Sequence, residues 1–407
     1  MSEEITFIHA ADLHLDSPFK GLASAPEAIF QEIRKSTFTA LEHLVHKAIR
    51  YQVDFILLVG DLFDNEQQSL QAQIRLKRAF ETLQQYNITV FLSYGNHDHV
   101  EGNPRFVPYP NNVIEFSNET VSSYTYVKNG EPVAEIYGFS YEKRAVLDNK
   151  VAEYEIKNPA VAFHIAMLHG SVQSNTEHDT YAPFKISDLT EIDMDYWALG
   201  HIHQRQIVKQ TPPIIYPGNI QGRHRKETGE KGCYHVRLTK NEAQLEFLPL
   251  QAIQIKHASV DITACDTVFD MESVLLATLK EMTAVTPQLI DVQLESKYEH
   301  IYEWERDGHI EDVIDVVNET LQQFHPWSYI FHFIIYGQTN IDETLYYGNH
   351  FIGEMLREAE KQPVQPLLTD LYKQQQARKF LPSLTEEEQQ TIKTAAKQLL
   401  VHELLKE

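Results

Sequence analysis

Short apolar runs alternate with segments of helical periodicity over the first hundred residues. The runs at 5–11, 55–59 and 89–93 are almost continuously apolar, as strands covered on both faces are. Between them, apolar positions recur at helical spacing over about 26–51 and 70–85. This alternation predicts parallel strands joined by helices with right-handed crossovers.

Strand signals dominate the next part of the chain. Apolar or alternating runs typical of strands occur at 121–127, 133–139, 161–168 and 196–199, and in several segments between 207 and 248. The first two runs flank Asn129-Gly130, a dipeptide that favours a tight hairpin turn. Together with the first hundred residues, this order indicates an α/β protein built in layers.

The pattern changes again near residue 251. Strand and helix signals alternate in five segments, with strands at 258–262, 289–294 and 329–336 and helices at 268–282 and 310–324. The remainder of the chain has a helical pattern throughout. We therefore predict three regions: a main domain over 1–250, a compact α+β domain over 251–340, and a helical C-terminal region over 341–407.

The last helical segment, 384–405, has an apolar stripe. It begins with Ser383 and Glu386, whose spacing fits a capping box. The stripe is formed by residues at helical spacing: Ile392, Ala395, Ala396, Leu399, Leu400, Leu404 and Leu405. Because such a face must be buried, the helix either packs on helical neighbours at about 351–372 or docks on a partner.

Composition indicates a globular protein of the cytoplasm. The 407 residues are enough for two or more domains, and no apolar run approaches the 18 residues of a membrane span. The acidic N-terminus leads directly into a strand and does not resemble a signal peptide. The two cysteines, Cys233 and Cys265, lack the spacing of a metal site and fit reduced thiols.

The net charge of −23 is unfavourable for binding nucleic acid, but it is unevenly distributed. Residues 1–250 contain 23 Lys and Arg against 32 Asp and Glu, a balance of −9, whereas residues 251–407 contain 12 against 26, a balance of −14. Divalent ions bound in the first region would offset several of its carboxylates. Any contact with DNA is therefore expected to be local.

Asp, Asn or His residues follow five of the apolar runs directly. They stand in five short motifs: Asp12-Leu13-His14, Gly60-Asp61-Leu62-Phe63-Asp64, Gly95-Asn96-His97-Asp98, His169-Gly170 and Gly200-His201-Ile202-His203. Because strand tips in a layered α/β fold converge at one edge of the sheet, these side chains should form one bowl. Taken singly, Asp12 and Asp61 are also ordinary turn or cap residues.

The predicted bowl has the composition of a metal site. Carboxylates, an amide oxygen and several imidazoles, with no thiolate, suit divalent ions such as Mn²⁺, Fe²⁺ or Zn²⁺. The donors are too many for one ion, so we infer two. Two ions about 3.5–4 Å apart activate a bridging water and hold both sides of an in-line phosphoryl displacement.

In order and rough spacing, the five motifs resemble the signatures of calcineurin-like metallophosphoesterases. The resemblance covers residues 1 to about 205, and it implies a β-sandwich flanked by helices. The sequences Ala10-Ala11-Asp12-Leu13-His14-Leu15 and Gly60-Asp61-Leu62-Phe63-Asp64, with the long C-terminal extension, are similar to the SbcD-type nuclease subunits of the DNA-repair exonuclease branch. The segments Asp16-Ser17-Pro18-Phe19 and 216–224 resemble the YhaO-type bacterial paralogues. By this resemblance 251–340 is a cap domain.

The resemblance also implies a role for each ligand. Asp12, His14 and His203 are expected to hold one metal ion, and Asn96, His169 and His201 the other. Asp61 is expected to bridge them, because its two oxygens can serve two ions. Mn²⁺ is the favoured metal, and Fe²⁺, Zn²⁺ or Mg²⁺ could replace it.

His97 and Asp64 are the predicted catalytic residues outside the ligand set. His97 is expected to stabilise the developing charge or to protonate the leaving oxygen, although a purely hydrogen-bonding role stays open. Asp64 is expected to orient His97 or a ligand histidine, and some relatives carry His at its position.

A local basic cluster follows the last motif. Arg205, Arg223, Arg225 and Lys226 are candidates for contact with backbone phosphates, and a solvated surface run is the other interpretation.

These observations predict a two-metal phosphodiesterase acting on DNA. By resemblance its partners are DNA, a coiled-coil ATPase of the SbcC or YhaN kind, and a second copy of the chain, with no membrane association. A phosphoesterase for small nucleotides or phosphoproteins would use the same bowl. An interaction subunit with a vestigial site is a third hypothesis, which the intact ligand set disfavours.

Overall fold

The structure is a computed structural model of the 407-residue chain. It describes residues 4–17, 19, 25–64, 68–101, 106–173, 181–282, 285–298, 300–337 and 350–367, with scattered positions between 384 and 400. Pro18, Ser383 and Glu386 of the sequence analysis lie outside the described residues, as does most of the predicted 384–405 helix.

The first large sheet has six strands in the order β12-β11-β1-β2-β3-β4. Their bounds are β1 Glu4–Ala11, β2 Phe55–Val59, β3 Thr89–Ser93, β4 Val113–Glu115, β11 Gly232–Thr239 and β12 Ala243–Pro249. Strands β1 to β4 are parallel, and β11 and β12 add an antiparallel edge. Helices α1, Glu27–Tyr51, and α2, Leu70–Gln85, connect the first three strands.

The second large sheet has the order β5-β6-β7-β8-β10-β9. Its strands are β5 Ser122–Lys128, β6 Glu131–Gly138, β7 Phe163–His169, β8 Tyr196–Gly200, β9 Gln206–Gln210 and β10 Pro213–Tyr216. The four central strands are parallel, and β5 and β9 pair antiparallel at the edges. A short 3-10 helix, Lys150–Glu153, and helix α3, Ile186–Thr190, lie in its connections.

Alternating side chains of the strands build the core between the two sheets. In β2, Phe55, Leu57 and Val59 face the second sheet, while Ile56 and Leu58 face the helices on the other side. Phe7 of β1 stacks on Phe55 with ring centroids 5.1 Å apart. Both faces are buried, which explains why these strands are apolar without interruption.

A third sheet, β13-β14-β15, follows residue 250. Its strands are Gln254–Asp261, Gln288–Ser296 and Ser328–Gly337. Helices α4 Val268–Glu281, α5 His300–Arg306, α6 His309–Leu321, α7 Phe351–Lys361 and α8 Val364–Leu367 occupy the rest of this part. Ile255, Leu289 and Tyr329 of the three strands pack with Ile29 and Ile33 of α1.

Contacts divide the chain into two compact units. The first comprises Met1–Ala258, Leu275–Val292 and Ile314–Phe333, and the second comprises Ser259–Val274, Gln293–Val313 and Ile334–Glu407. The predicted domain boundaries at 250 and 340 remain predictions.

The predicted α/β class, with a sandwich flanked by helices, is confirmed. The strands and helices predicted up to residue 93 match the structure to within a residue or two. Among the described residues no helix is long and apolar enough to cross a membrane. In the C-terminal region, Ile392 and Leu400 of the predicted stripe are described and are each 39% exposed.

Candidate metal centre

The strands that precede the five motifs end side by side. In the first sheet Ala11 pairs with Val59, and Val59 with Ser93. In the second sheet His169 pairs with Gly200. Because the paired strands are parallel, their carboxyl ends lie at one edge of each sheet, and the motif residues begin there.

Hydrogen bonds join the tips of the two sheets. Both carboxylate oxygens of Asp12 accept from the backbone N–H of His201, each at 3.1 Å. In the opposite direction, His169 Nδ1 donates to the carbonyl of Val59 at 3.0 Å. The structure thus brings residues of the five motifs together at these strand ends.

The glycines of the motifs leave room for ligand side chains. A Cβ at Gly60, which has φ +73°, would lie 2.2 Å from His169 Nδ1, and one at Gly95 would lie 2.3 Å from Asp61 Oδ1. Backbone strain accompanies this packing. Four predicted ligands have left-handed φ values: Asp12 at 52°, His14 at 43°, Asp61 at 50° and His201 at 97°. Such strain persists only where surrounding contacts hold it, and it is concentrated at functional sites.

The first ligand set consists of Asp12, His14 and His203, whose donor atoms all lie within 4.8 Å of one another. The Nε2 atoms of the two histidines are 3.0 Å apart. His203 carries its proton on Nδ1, because that atom donates to Glu227 Oε1 at 2.6 Å. Burial lowers the pKa of His14 to about 3, so its imidazole is neutral. A carboxylate and two imidazoles with donor atoms this close together suit a divalent ion.

The second set consists of Asp61, His169 and His201, with donor atoms again within 4.8 Å of one another. Asn96 Oδ1 joins it, 3.1 Å from His169 Nε2. Burial lowers the pKa of His169, but the carboxylates of Asp61 and Asp12 have the larger combined effect and raise it to about 9. A proton on Nε2 thus stands where a cation would bind, and metal binding would displace it.

Asp61 lies between the two sets. Its Oδ2 is 3.5 Å from His169 Nε2 and 3.8 Å from His14 Nε2. Although burial acts in the opposite direction, the imidazole of His169 holds the pKa of Asp61 well below its usual value. One oxygen, Oδ2, thus faces both sets, whereas Oδ1 accepts from the N–H of His97, and the bridging role stays a prediction.

His14, Asp64 and His97 form a third cluster beside the first set. His97 donates from Nδ1 to the backbone carbonyl of Asp64 at 2.7 Å, and its own N–H donates to Asp61 Oδ1 at 3.0 Å. The Asp64 side chain pairs with Arg223 and lies 3.4 Å from His14 Nδ1. Arg223 therefore places a positive charge beside the Asp64 carboxylate.

Asp98 fixes the turn that presents Asn96 and His97. Its Oδ1 accepts from Gly95 N at 2.7 Å, and its Oδ2 accepts from Leu62 N at 2.6 Å. Burial and the neighbouring Asp61 raise the pKa of Asp98 to about 7. The side chain therefore connects the second and third motifs.

The four basic residues predicted to contact DNA occupy different surroundings. Arg223 has a side chain only 13% exposed, and Arg205 stacks over the ring of Phe247 at 3.8 Å. Arg225 lies 3.2 Å from His332 Nε2, and Lys226 is exposed. The structure thus brings Arg223 to the ligand sets, and the other three lie outside them.

The sequence analysis did not identify Glu227 and Lys231. Glu227 accepts from His203 Nδ1, and Lys231 donates to the His203 carbonyl at 2.9 Å. Neither residue belongs to a motif. The local sequence offers no signal for them beyond their place in the segment that follows the last motif.

Comparisons with known proteins agree with this geometry. The calcineurin-like phosphoesterase family matches residues 5–205. The chain is 36% identical to the uncharacterized metallophosphoesterase YhaO of Bacillus subtilis over 406 residues, which covers 99% of each chain.

More distant similarity reaches archaeal proteins. The DNA double-strand break repair protein Mre11 of Saccharolobus solfataricus is 24% identical over 249 residues, 58% of this chain and 61% of that protein. The protein of the same name from Archaeoglobus fulgidus is 27% identical over 237 residues, 53% and 50% of the two chains. The chain thus spans less than two thirds of either archaeal relative. Among solved structures, the chain is similar to GAP50, the anchor in the inner membrane complex of Plasmodium, at 12% identity over 61% of this chain and 85% of that one. The TM-score is only 0.34, so this likeness supports no argument.

The bridging position of Asp61 leads to a prediction about metal stoichiometry. We expect Asp61→Asn to weaken binding at both sets, because one oxygen faces both, whereas His203→Ala should weaken only one. Titrating metal-stripped protein with Mn²⁺ in a calorimeter would count the ions. If both variants lose a single ion in the same way, Asp61 does not bridge.

Proposed function

The chain belongs to the calcineurin-like metallophosphoesterase family, and from this premise we propose that it is a phosphodiesterase that cleaves DNA with two divalent metal ions. Enzymes of this family use divalent metals. The observation that carries the proposal is the convergence of five strand-tip motifs into two ligand sets with Asp61 between them. The similarity to DNA double-strand break repair proteins supports DNA as the substrate.

Two ions fit the residues better than one. Asp12, His14 and His203 would hold the first, and Asn96, His169 and His201 the second. When bound, such ions polarise the scissile phosphate and lower the pKa of a water nucleophile. The donors are oxygen and imidazole nitrogen, so Mn²⁺ is the proposed metal, with Fe²⁺, Zn²⁺ and Mg²⁺ as alternatives.

His97 is positioned to assist the leaving group. Its Nδ1 is held by the carbonyl of Asp64, and its ring lies edge-on to His14 with centroids 5.1 Å apart. Nε2 is therefore the ring nitrogen left for the substrate, and it donates to a leaving oxygen when the imidazole carries a second proton. Asp64 contributes through its backbone to His97 and through its side chain to His14 and Arg223.

Arg225 is the basic residue best placed for a phosphate contact outside the ligand sets. Its guanidinium donates to His332 Nε2, and His332 Nδ1 in turn lies 2.6 Å from Asp291 Oδ1. This chain of hydrogen bonds fixes a guanidinium two residues from Arg223. Arg205 and Lys226, which also follow the last motif in the sequence, would add further phosphate contacts.

The remaining elements of the proposal follow from the family resemblance. They are a cap domain over 251–340, a helical region over 341–407 that docks on a coiled-coil ATPase of the SbcC or YhaN kind, and a homodimer. A phosphoesterase for small nucleotides or phosphoproteins is the second candidate, because the same bowl would serve it.

The proposed activity predicts a metal-dependent nuclease. Purified protein with Mn²⁺ should cleave labelled single-stranded or duplex DNA, and EDTA should abolish the cleavage. The same preparation would be tested on small phosphodiesters, nucleotides and phosphopeptides, with and without a coiled-coil ATPase. Turnover of the small substrates combined with intact DNA would select the second candidate.

A separate prediction concerns His97. We expect His97→Ala to retain both metal ions. Its cleavage rate should fall roughly 10²–10³-fold, the usual cost of removing one charge-stabilising donor. Metal content and DNA cleavage would be measured on the same preparation. A fall in metal content that parallels the loss of rate would make His97 a ligand instead.

Arg225 allows a test of the DNA contact. We expect Arg225→Ala to weaken DNA binding and to lower the slope of log affinity against log salt by about 1, because one phosphate contact is lost. Hydrolysis of a small phosphodiester should not change. Arg237→Ala, a half-exposed arginine on β11 paired with Glu4, is the matched control. An unchanged slope in Arg225→Ala would mean that Arg225 does not contact a DNA phosphate.

A further inference from the structure

Glu227 lies in the segment between β10 and β11 and is only 6% exposed. A carboxylate buried to this extent must be paired or hydrogen-bonded. The acceptors of Glu227 are fully engaged by nearby donors. Oε1 accepts from His203 Nδ1 at 2.6 Å, and Oε2 accepts from Asn219 Nδ2 at 2.9 Å and from the backbone N–H of Arg223 at 2.7 Å.

A guanidinium and a second imidazole lie close to the same carboxylate. Arg223 Nη2 lies 3.9 Å from Oε1, and His224 Nε2 lies 3.3 Å from it. The shortest of these contacts, from His203 Nδ1 to Oε1 at 2.6 Å, joins Glu227 to a ligand histidine.

Lys231 contacts the backbone of the same histidine. Its ammonium donates to the His203 carbonyl at 2.9 Å, and the residue is only 7% exposed. Glu227 thus fixes the ring of His203 while Lys231 fixes its backbone. Both residues come from one segment, so His203 is restrained at two points.

We propose that Glu227 is a positioning residue that keeps the ring proton of His203 on Nδ1 and so presents Nε2, together with Asp12 and His14, to a divalent metal ion. The geometry supports this directly, because His203 Nε2 lies 3.0 Å from His14 Nε2. A carboxylate bonded to the distal nitrogen of a ligand histidine fixes its tautomer and increases its basicity. The inference rests on the proposed two-metal site and assigns Glu227 to one of its two ions.

An amide cannot replace this carboxylate. The two oxygens accept from donors on both sides, whereas Gln offers one acceptor and one donor. If its oxygen faces His203, its NH₂ group meets Asn219 Nδ2 and Arg223 N, which are also donors. If it turns over, the NH₂ group faces His203 Nδ1 and favours the other tautomer.

The test uses Glu227→Gln in the full chain. Metal-stripped protein would be titrated with Mn²⁺ alone, without DNA. Wild type should bind two ions, and Glu227→Gln should bind one ion as wild type does and the other roughly 10–100-fold more weakly. Glu230→Gln is the matched control, because Glu230 is half-exposed in the same segment and pairs with Arg205. It should bind both ions normally.

A spectroscopic measurement separates positioning from folding. In ¹⁵N-histidine-labelled, metal-free protein, the His203 signals can be identified by their loss in His203→Ala. Wild type should show protonated Nδ1 and unprotonated Nε2, and Glu227→Gln should show a mixture of tautomers.

Three outcomes have distinct meanings. If wild type binds no ion, the proposed function fails, and the inference fails with it. If wild type binds two ions and Glu227→Gln binds both with equal affinity, only the role of Glu227 is overturned. If Glu227→Gln weakens both ions equally and lowers the Tm of the metal-free protein, Glu227 supports the fold and the positioning role is also overturned.

Discussion

The bonds between Asp12 and His201, and between His169 and Val59, connect two sheets that share no strand pairing. Every predicted ligand lies at a strand end or just beyond one, so its position depends on how the two strand edges are held together. The apolar side chains between the sheets bring the edges close, and these polar bonds fix their alignment. Asp12, Asp61 and His201 have strained φ values. Such values are tolerated where apolar packing and hydrogen bonds together hold the backbone in place.

Negative charge is the second constraint on the site. Asp12, Asp61 and Asp98 are each at most 1% exposed, and carboxylates this close cannot all ionise without compensating positive charge. Asp98 responds with a raised pKa, and the pKa of Asp12 is also raised by burial. Arg223 compensates Asp64, on one side of the bowl. At Asp61 the compensation comes from His169, whose Nε2 is also a predicted metal donor, and this is where a divalent ion would fit.

Much of the fold was predictable because its signals are local. The runs at 55–59 and 89–93 are apolar on both faces, and the Asn129-Gly130 turn separates two strands as its dipeptide indicates. The short strand Val113–Glu115 and helix Ile186–Thr190 were missed, since three to five residues carry too little periodicity. The ligand sets were predictable for the same reason, because each motif sits directly after a strong strand signal.

The hydrogen bonds that hold His203 could not be predicted, because the spacing of the residues involved suggests a helix that does not form. Asn219, Arg223, Glu227 and Lys231 follow one another at intervals of four, which along a helix would place them on one face. The segment instead contains neither helix nor strand, and it includes two glycines with left-handed φ values, Gly218 and Gly229. Within it, Glu227 and Lys231 reach the ring and the carbonyl of the same histidine. Contacts between residues more than twenty positions apart are set by how the loop closes on the strand tips, so only the folded chain reveals that this polar series serves one ligand.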